Sequence, residues 1–406
     1  MEDVSRIPSP EPAPTYRKGD VIEVTIEKIV PRGLGLAFAE ALTVFVPLAA
    51  PGDRLKVRIR EKKKRIAFAE IVDVLQPGRT RVEPSCSYFG ICGGCDFQQL
   101  DDQAQLSAKK DIITDCLVRI GKIDVGDNEI TMIASPQPLE YRSRARWHLD
   151  KPSGRIGYMR RDSNEVVDVS VCPVLTPGLQ SALEYTRENV DWNAYPGNSV
   201  ELDAASADGD VVSTFAKTSL NPPAVVSAGV GGETYFYSGE TFFQANRFLI
   251  EKLIETAIRD AAGETALDLY SGVGLFTVPL ARRFQAVTAV EESPAAVKFA
   301  KRNVTEANLE NVRLVNTGVQ QYLSQEKVFS ADFVLLDPPR AGTEPKTIEL
   351  LVKARPKRIS YVSCEPSILA RDLRALLDAG YAIQSITALD LFPQTHHVET
   401  VVHLAI

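Results

Sequence analysis

Apolar and polar positions alternate with period two in the first part of the chain and change to mixed strand and helix periods beyond it. Between Asp20 and Val74, Val21-Ile-Glu-Val-Thr-Ile-Glu alternates, Gly33-Leu-Gly35 turns, and Phe45-Val-Pro, Arg54-Leu-Lys-Val-Arg-Ile-Arg and Ile66-Ala-Phe-Ala-Glu-Ile-Val follow. Short strands with glycine turns predict a small antiparallel barrel of the OB type, a common single-strand nucleic-acid module. Pro77-Gly78 ends it. Leu106, Ile113, Leu117 and Ile120 then mark one face of an amphipathic helix, with Cys116 on the same stripe as a core residue. From Tyr141 to Val230 the chain reads as a β-rich middle domain, with turns at Gly154, Gly157, Gly197 and Gly209. From Phe242 onward strands and helices alternate. The strand candidates are Thr265 to Tyr270, Ala286 to Glu291, Asp332 to Asp337 and Arg358 to Cys364. That alternation predicts a doubly wound α/β domain with a mostly parallel sheet.

A chain of 406 residues accommodates two to four domains. Met1 to Pro14 is proline-rich and reads as a disordered tail, with neither the basic nor the apolar region of a targeting peptide. No apolar run reaches the roughly 18 residues that a membrane span needs, so a cytoplasmic protein is expected. The net charge of −7 argues against a surface coated in nucleic acid, but it hides local clusters. Arg54, Lys56, Arg58, Arg60, Lys62, Lys63, Lys64 and Arg65 oppose only Glu61. Arg142, Arg144 and Arg146, interleaved with Tyr141 and Trp147, form a second candidate phosphate-binding patch.

In a parallel α/β sheet, ligands bind outside the carboxyl ends of the strands. The chemically distinctive residues fall there. The first strand runs into Ser271-Gly272-Val-Gly274, and others end on Glu291, on Asp337-Pro338-Pro339-Arg340 and on Cys364. Glu291 stands where a carboxylate would accept the ribose hydroxyls of an adenosine. Thr277 occupies the place of the third glycine of a dinucleotide fingerprint, so S-adenosylmethionine fits better than a nicotinamide dinucleotide. The prolines after Asp337 hold its carboxylate in an extended exit from the strand. An aromatic residue after them would suggest methylation of an exocyclic amine, but Arg340 is there.

Cys364 ends a buried strand just before a helix that Pro366 opens. A free thiol, with a pKa of ~8.5, is a poor nucleophile near neutrality, and a helix N-terminus stabilises its anion. The alternative is a packed core thiol. Cys86-x5-Cys92-Gly-Gly-Cys95 has metal-ligand spacing, and Cys172-Pro173 supplies a fourth thiolate. Zinc and an iron–sulfur cluster both stay open: the tight Cys-x2-Cys pair suits zinc, the lone Cys-Pro a cluster. Glu399 opens an apolar terminal strand as a general base or as a solvent-facing residue, and His396 and His397 read as loop residues or RNA contacts.

Taken together, these motifs resemble the RNA uracil-5-methyltransferase family. Residues 16–75 resemble its N-terminal RNA-binding TRAM barrel, and Cys86, Cys92, Cys95 and Cys172 resemble its [4Fe–4S] site. Phe242-Phe-Gln244-Ala-Asn246, Leu267-Asp-Leu-Tyr-Ser-Gly-Val-Gly274, Asp337-Pro-Pro-Arg-Ala-Gly342, Tyr361-Val-Ser-Cys364 and His397-Val-Glu399 complete the likeness. The resemblance implies a Rossmann-like class I methyltransferase domain over 241–406. Before it would come a tail at 1–14, a TRAM-like barrel at 15–76 and a middle domain with the metal site at 77–240.

It also implies Gln244, Tyr270, Glu291 and Asp337 around S-adenosylmethionine, Cys364 as nucleophile and Glu399 as base. The product would be 5-methyluridine in structured RNA, ribosomal or transfer, made by a monomer through a covalent adduct. Rival expectations are a cytosine-5-methyltransferase, an exocyclic-amine methyltransferase and a non-catalytic iron–sulfur RNA-binding protein. Ser271 stands where many members have cysteine, and Glu365 follows the nucleophile where asparagine is usual. A carboxylate beside a thiolate opposes its ionisation unless it turns outward or caps the helix.

Overall fold

The computed structural model describes residues 16–126, 129–195, 197–219, 222–325 and 331–406. The tail expected at 1–14 lies outside the described residues. Contacts divide the chain into two compact units, one through Glu83 with Gln99–Asp101, the other Pro84–Gln98 with Asp102–Ile406.

The first unit is a six-stranded sheet of β1 (Val21–Thr25), β2 (Lys28–Val30), β3 (Leu34–Ala39), β4 (Leu42–Pro47), β5 (Arg54–Lys63) and β6 (Ile66–Gln76), in the order β1-β5-β6-β4-β3-β2. Its one parallel pair is β4–β6. Alternation in β5 sends Leu55, Val57 and Ile59 into the core and turns Arg54, Lys56, Arg58 and Arg60 outward. Arg58 and Arg60 share Glu70, and Arg54 pairs with Glu23, so part of this basic face is already neutralised. The expected break at Pro77-Gly78 has a specific anchor: buried Asp53 accepts hydrogen bonds from Ala50 N, Gly78 N and the Arg81 guanidinium.

The second unit opens with the cysteine segment and α1 (Asp102–Arg119), which buries Ala108, Ile112, Ile113, Cys116 and Leu117. Ile120, expected on that stripe, lies past the helix end and is exposed. β7 (Ile130–Ile133) follows. β8 (Arg144–Asp150), β9 (Arg155–Met159), β10 (Val166–Asp168), β11 (Ser199–Ser206) and β12 (Val212–Phe215) form an antiparallel sheet with α2 (Pro177–Asn189) against it. β13 (Val226–Val230) and β14 (Glu233–Tyr237) make a hairpin.

The second basic cluster is not an open phosphate patch. Trp147 and Tyr141 are core residues. Arg144 donates to the carbonyls of Ser238, Gly239 and Thr241, and Arg146 pairs with Asp203. Trp147 lies on the inward face of β8 and Tyr141 just before the strand, while Arg142, also before it, lines the cysteine cavity.

From α3 (Ile250–Ile258) the chain alternates: β15 (Gly263–Leu269), α4 (Thr277–Ala281), β16 (Phe284–Glu291), α5 (Pro294–Glu306), β17 (Val312–Asn316), α6 (Val319–Gln325), β18 (Phe333–Leu336), α7 (Thr347–Ala354), β19 (Arg358–Ser363), α8 (Pro366–Asp378), β20 (Ala382–Leu389) and β21 (Glu399–Ala405). The sheet order is β17-β16-β15-β18-β19-β21-β20-β7. β15 to β19 run parallel, β21 runs antiparallel to β19 and β20, and β7 pairs with β20 from outside the alternating region. The continuous apolar runs of β18 and β19 suit central strands covered on both faces. Among the described residues no helix is long and apolar enough to cross a membrane.

Candidate active site

Strand order reverses between β15 and β18, and the crevice at such a switch point is where an α/β sheet takes its ligand. Tyr270 leaves β15 with φ +62°, followed by Gly272 at +55° and Gly274 at +91°. The glycines allow this left-handed path without a Cβ penalty, and the turn brings backbone N–H groups towards Glu291. Glu291 accepts from Gly272 N at 2.9 Å and from Ser293 N at 2.7 Å, which fixes its carboxylate and leaves lone pairs over for a diol. The Tyr270 hydroxyl donates to Glu344. Asp337, one residue beyond β18, hydrogen-bonds through its N–H to Leu269 O and accepts from Gln244 Nε2 at 3.5 Å. Of the four sequence-predicted cofactor residues, Tyr270, Glu291 and Asp337 stand at the carboxyl ends of the neighbouring strands β15, β16 and β18, and Gln244 is tied to Asp337.

Asp268 did not stand out in the sequence as more than part of the Leu267-Asp-Leu motif. It is fully buried beneath the glycine turn and accepts from Thr277 Oγ1 at 2.5 Å, while its Oδ1 has no partner. Ser271 Oγ is likewise buried and unpartnered. These orphaned polar atoms beside a fixed carboxylate fit the cradle of a polar, cationic nucleoside such as S-adenosylmethionine. Burial pushes the carboxyls of Asp268 and Asp337 each up to about 7. Both folded values lie above the unfolded value of about 4, so their stabilising contribution is present below pH ~4 and is lost as pH rises through ~7. Asp268→Asn is expected to flatten that fall in melting temperature across about pH 4–7, as read by differential scanning calorimetry without ligand.

Cys364 stands one residue past β19 at the head of α8. The β19–β21 register ends at Ser363↔Thr400, so the next step sets Cys364 across from Glu399. Glu399 is buried with Oε1 unpartnered. Burial and the nearby Asp337 carboxyl hold it well above the usual carboxylate range, against Arg340. Burial also pushes the Cys364 thiol up to about 12, with Glu399 and Asp337 adding to the effect, while Arg340, hydrogen-bonded to Cys364, opposes it. Arg340 thus belongs to the site although the sequence marked it only as the residue where an aromatic was absent. Glu365 turns away from the thiol and caps α8, accepting from Ser367 N at 3.3 Å and Ser367 Oγ at 2.6 Å. Phe242 is exposed, with the Arg144 guanidinium 6.0 Å from its ring centre. It offers a free aromatic face. His397 is pushed down to about 3 by burial and by the His396 and Arg340 charges, so its imidazole is neutral.

Cys86, Cys92, Cys95 and Cys172 line one cavity together with Arg142 and Tyr158. Burial pushes the Cys95 thiol up to about 12 and raises Cys92 and Cys172. Among the described residues no group of three or more His, Cys, Asp or Glu is arranged to hold a single metal ion. The four sulfurs instead ring a space, and the buried Nε of Arg142, without a hydrogen-bond partner, lies at its lining.

A reversed α/β sheet with a glycine turn, a ribose-type carboxylate and an acidic strand end defines a class I S-adenosylmethionine-dependent methyltransferase. The model of the tRNA (Uracil-5-)-methyltransferase family matches residues 227–406, and that of the tRNA (uracil(54)-C(5))-methyltransferase TRAM domain matches 22–79. The chain is 32% identical to the 23S rRNA (uracil(1939)-C(5))-methyltransferase RlmD of Shewanella sediminis, over 93% of this chain and 94% of that one. It is 31% identical to an uncharacterised RNA methyltransferase of Synechocystis, over 97% of each. The crystal structure of Pyrococcus abyssi tRNA (uracil-54, C5)-methyltransferase with S-adenosyl-L-homocysteine superposes with a TM-score of 0.75 at 25% identity, covering 95% of this chain and 100% of that one. The chain belongs to the S-adenosylmethionine-dependent RNA uracil-C5-methyltransferase family.

Proposed function

We propose that this enzyme forms 5-methyluridine in structured RNA, ribosomal or transfer, through a covalent bond between Cys364 and C6 of the target uracil. The observation that carries the reading is the pairing of Cys364, at a helix N-terminus and against Arg340, with Glu399 across the strand register. Uracil C5 is too weak a nucleophile to take an alkyl group unaided. The Cys364 thiolate adds to C6, the C5=C6 π electrons move onto C5 and O4, and the enolate makes C5 nucleophilic. Bound S-adenosylmethionine supplies an electrophilic sulfonium methyl to that carbon. Glu399 then takes the proton from C5, the C5=C6 bond re-forms, and the C6–S bond breaks to return the thiolate. Gln244, Tyr270, Glu291 and Asp337 hold the methyl donor. The exposed Phe242 ring gives a stacking surface for a base taken out of its helix.

The working parts are a TRAM barrel at 15–76 for RNA, a middle part at 77–240 carrying the cysteines, and the catalytic part at 241–406, acting as a cytoplasmic monomer. A cluster of [4Fe–4S] type in the cysteine cavity would be held by Cys86, Cys92, Cys95 and Cys172, and it would supply a rigid anionic cross-link there. Anaerobically purified protein is expected to be brown, and Cys92→Ser to lose that visible absorbance together with its iron; colourless protein with stoichiometric zinc would reverse the assignment. The function itself is tested with matched RNAs bearing uridine or cytidine at the target, together with mass-spectrometric mapping of RNA from cells lacking the enzyme. Loss of 5-methyluridine at defined positions supports it, and methyl transfer to cytidine alone refutes it.

A further inference from the structure

Glu399 sits at the end of a long connection. β20 and β21 pair as Leu389↔Glu399, so Asp390–Val398 is a hairpin loop hanging over the carboxyl end of the sheet. A loop of this length has many conformations, whereas a general base works only within narrow distance limits. Something must hold it.

The grip comes from residues far away in sequence. Asp96 N and Phe97 N both donate to Gln394 O, at 3.1 and 3.0 Å. The Asp96 carboxylate accepts from His396 N through Oδ1 at 2.8 Å, and its Oδ2 lies 2.5 Å from His396 Nδ1. Gln105 exchanges two hydrogen bonds with Gln394, Tyr141 OH donates to Pro393 O, and Lys109 binds Asp390 and Phe392 O. Gln394 itself has φ +67°, a left-handed conformation that is strained for a non-glycine residue and persists only where neighbours enforce it.

We infer that Asp96 is a positioning residue for the base: the Asp96–His396 clamp couples the cysteine ring to the loop that places Glu399. Asp96 directly follows Cys95, whose carbonyl is tied down by Arg161 Nη2 at 2.8 Å. Whatever orders the ring therefore orders Asp96, and through His396 the segment leading into His397 and Glu399. The cysteine site thereby serves the proton-removal step through the geometry of these contacts. This rests on the reading of Glu399 as base and adds to it a residue and a role.

The test separates formation of the covalent RNA adduct from its resolution. Asp96→Ala, in the full-length holoprotein, is expected to slow adduct resolution and lower kcat roughly 10–100-fold, as loss of a partner that orients a catalytic group does. KM for RNA, the adduct formation rate and the visible absorbance stay unchanged. His396→Ala removes the imidazole half of the clamp from the side away from the cysteines, leaving the backbone N–H bond to Asp96, so it reports even if Asp96→Ala disturbs the ring. Asp96→Asn keeps an acceptor for His396 N and should recover part of the rate. Normal adduct resolution in His396→Ala, or a defect in adduct formation instead, overturns the clamp. Absence of any adduct in wild type and in Glu399→Gln would overturn the function reading and this inference with it, whereas a normal His396→Ala overturns the clamp alone.

Discussion

Replacing Cys364 with alanine is expected to lower methylation at least ~10⁴-fold and to abolish the covalent RNA adduct, while RNA affinity stays within about twofold. Cys364 is only partly buried, and alanine removes one atom from that position, so folding is spared. The chemistry is not spared, because without addition at C6 no electron density reaches C5. Retained turnover would remove the thiol from the mechanism. The wild-type pH profile carries a further mark. With the thiol held up at about 12, the reactive fraction at neutral pH is small and grows roughly tenfold per pH unit. The single-turnover rate of adduct formation should therefore climb with pH across the neutral and mildly alkaline range. Arg340→Ala should lower the whole line, because it takes away the cation that favours the anion.

Glu399→Gln is expected to have the opposite signature: adduct forms and accumulates on denaturing gels, while turnover falls about 10³-fold. Glutamine matches the size and shape of the buried Glu399 side chain, so the substitution leaves the fold unstrained. What is lost is the acceptor for the C5 proton. The methylated adduct then has no route to elimination. Normal turnover with no trapped species would assign the base to another group.

The four catalytic-domain strands read from the sequence lie close to β15, β16, β18 and β19, because a buried parallel strand leaves an unbroken apolar run and a polar residue at its exit. Cys364 was legible for the same reason, with Pro366 marking the helix start behind it. Arg340 and Asp268 were not, since an arginine after a turn and an aspartate inside a strand look ordinary until the neighbours are known. The Arg142–Arg146 cluster misled in the other direction. Alternating charge and aromatics from Tyr141 into β8 suggest a surface, yet Tyr141 and Trp147 are core and Arg144 is consumed by three carbonyls.

Order along the chain followed from the sequence alone: which stretches are strands, where helices begin, and which chemically able residues stand at strand ends. These depend on periodicity, proline and glycine, which act over a few residues. The tertiary structure decided which of those ends meet. It set Cys364 opposite Glu399 through the β19–β21 register, recruited β7 to the far edge of the catalytic sheet, and brought Asp96 to His396. Contacts between such distant positions are selected by packing and by the satisfaction of buried polar groups across the whole core. No local pattern carries that information, because the same short segments could pair in many other ways.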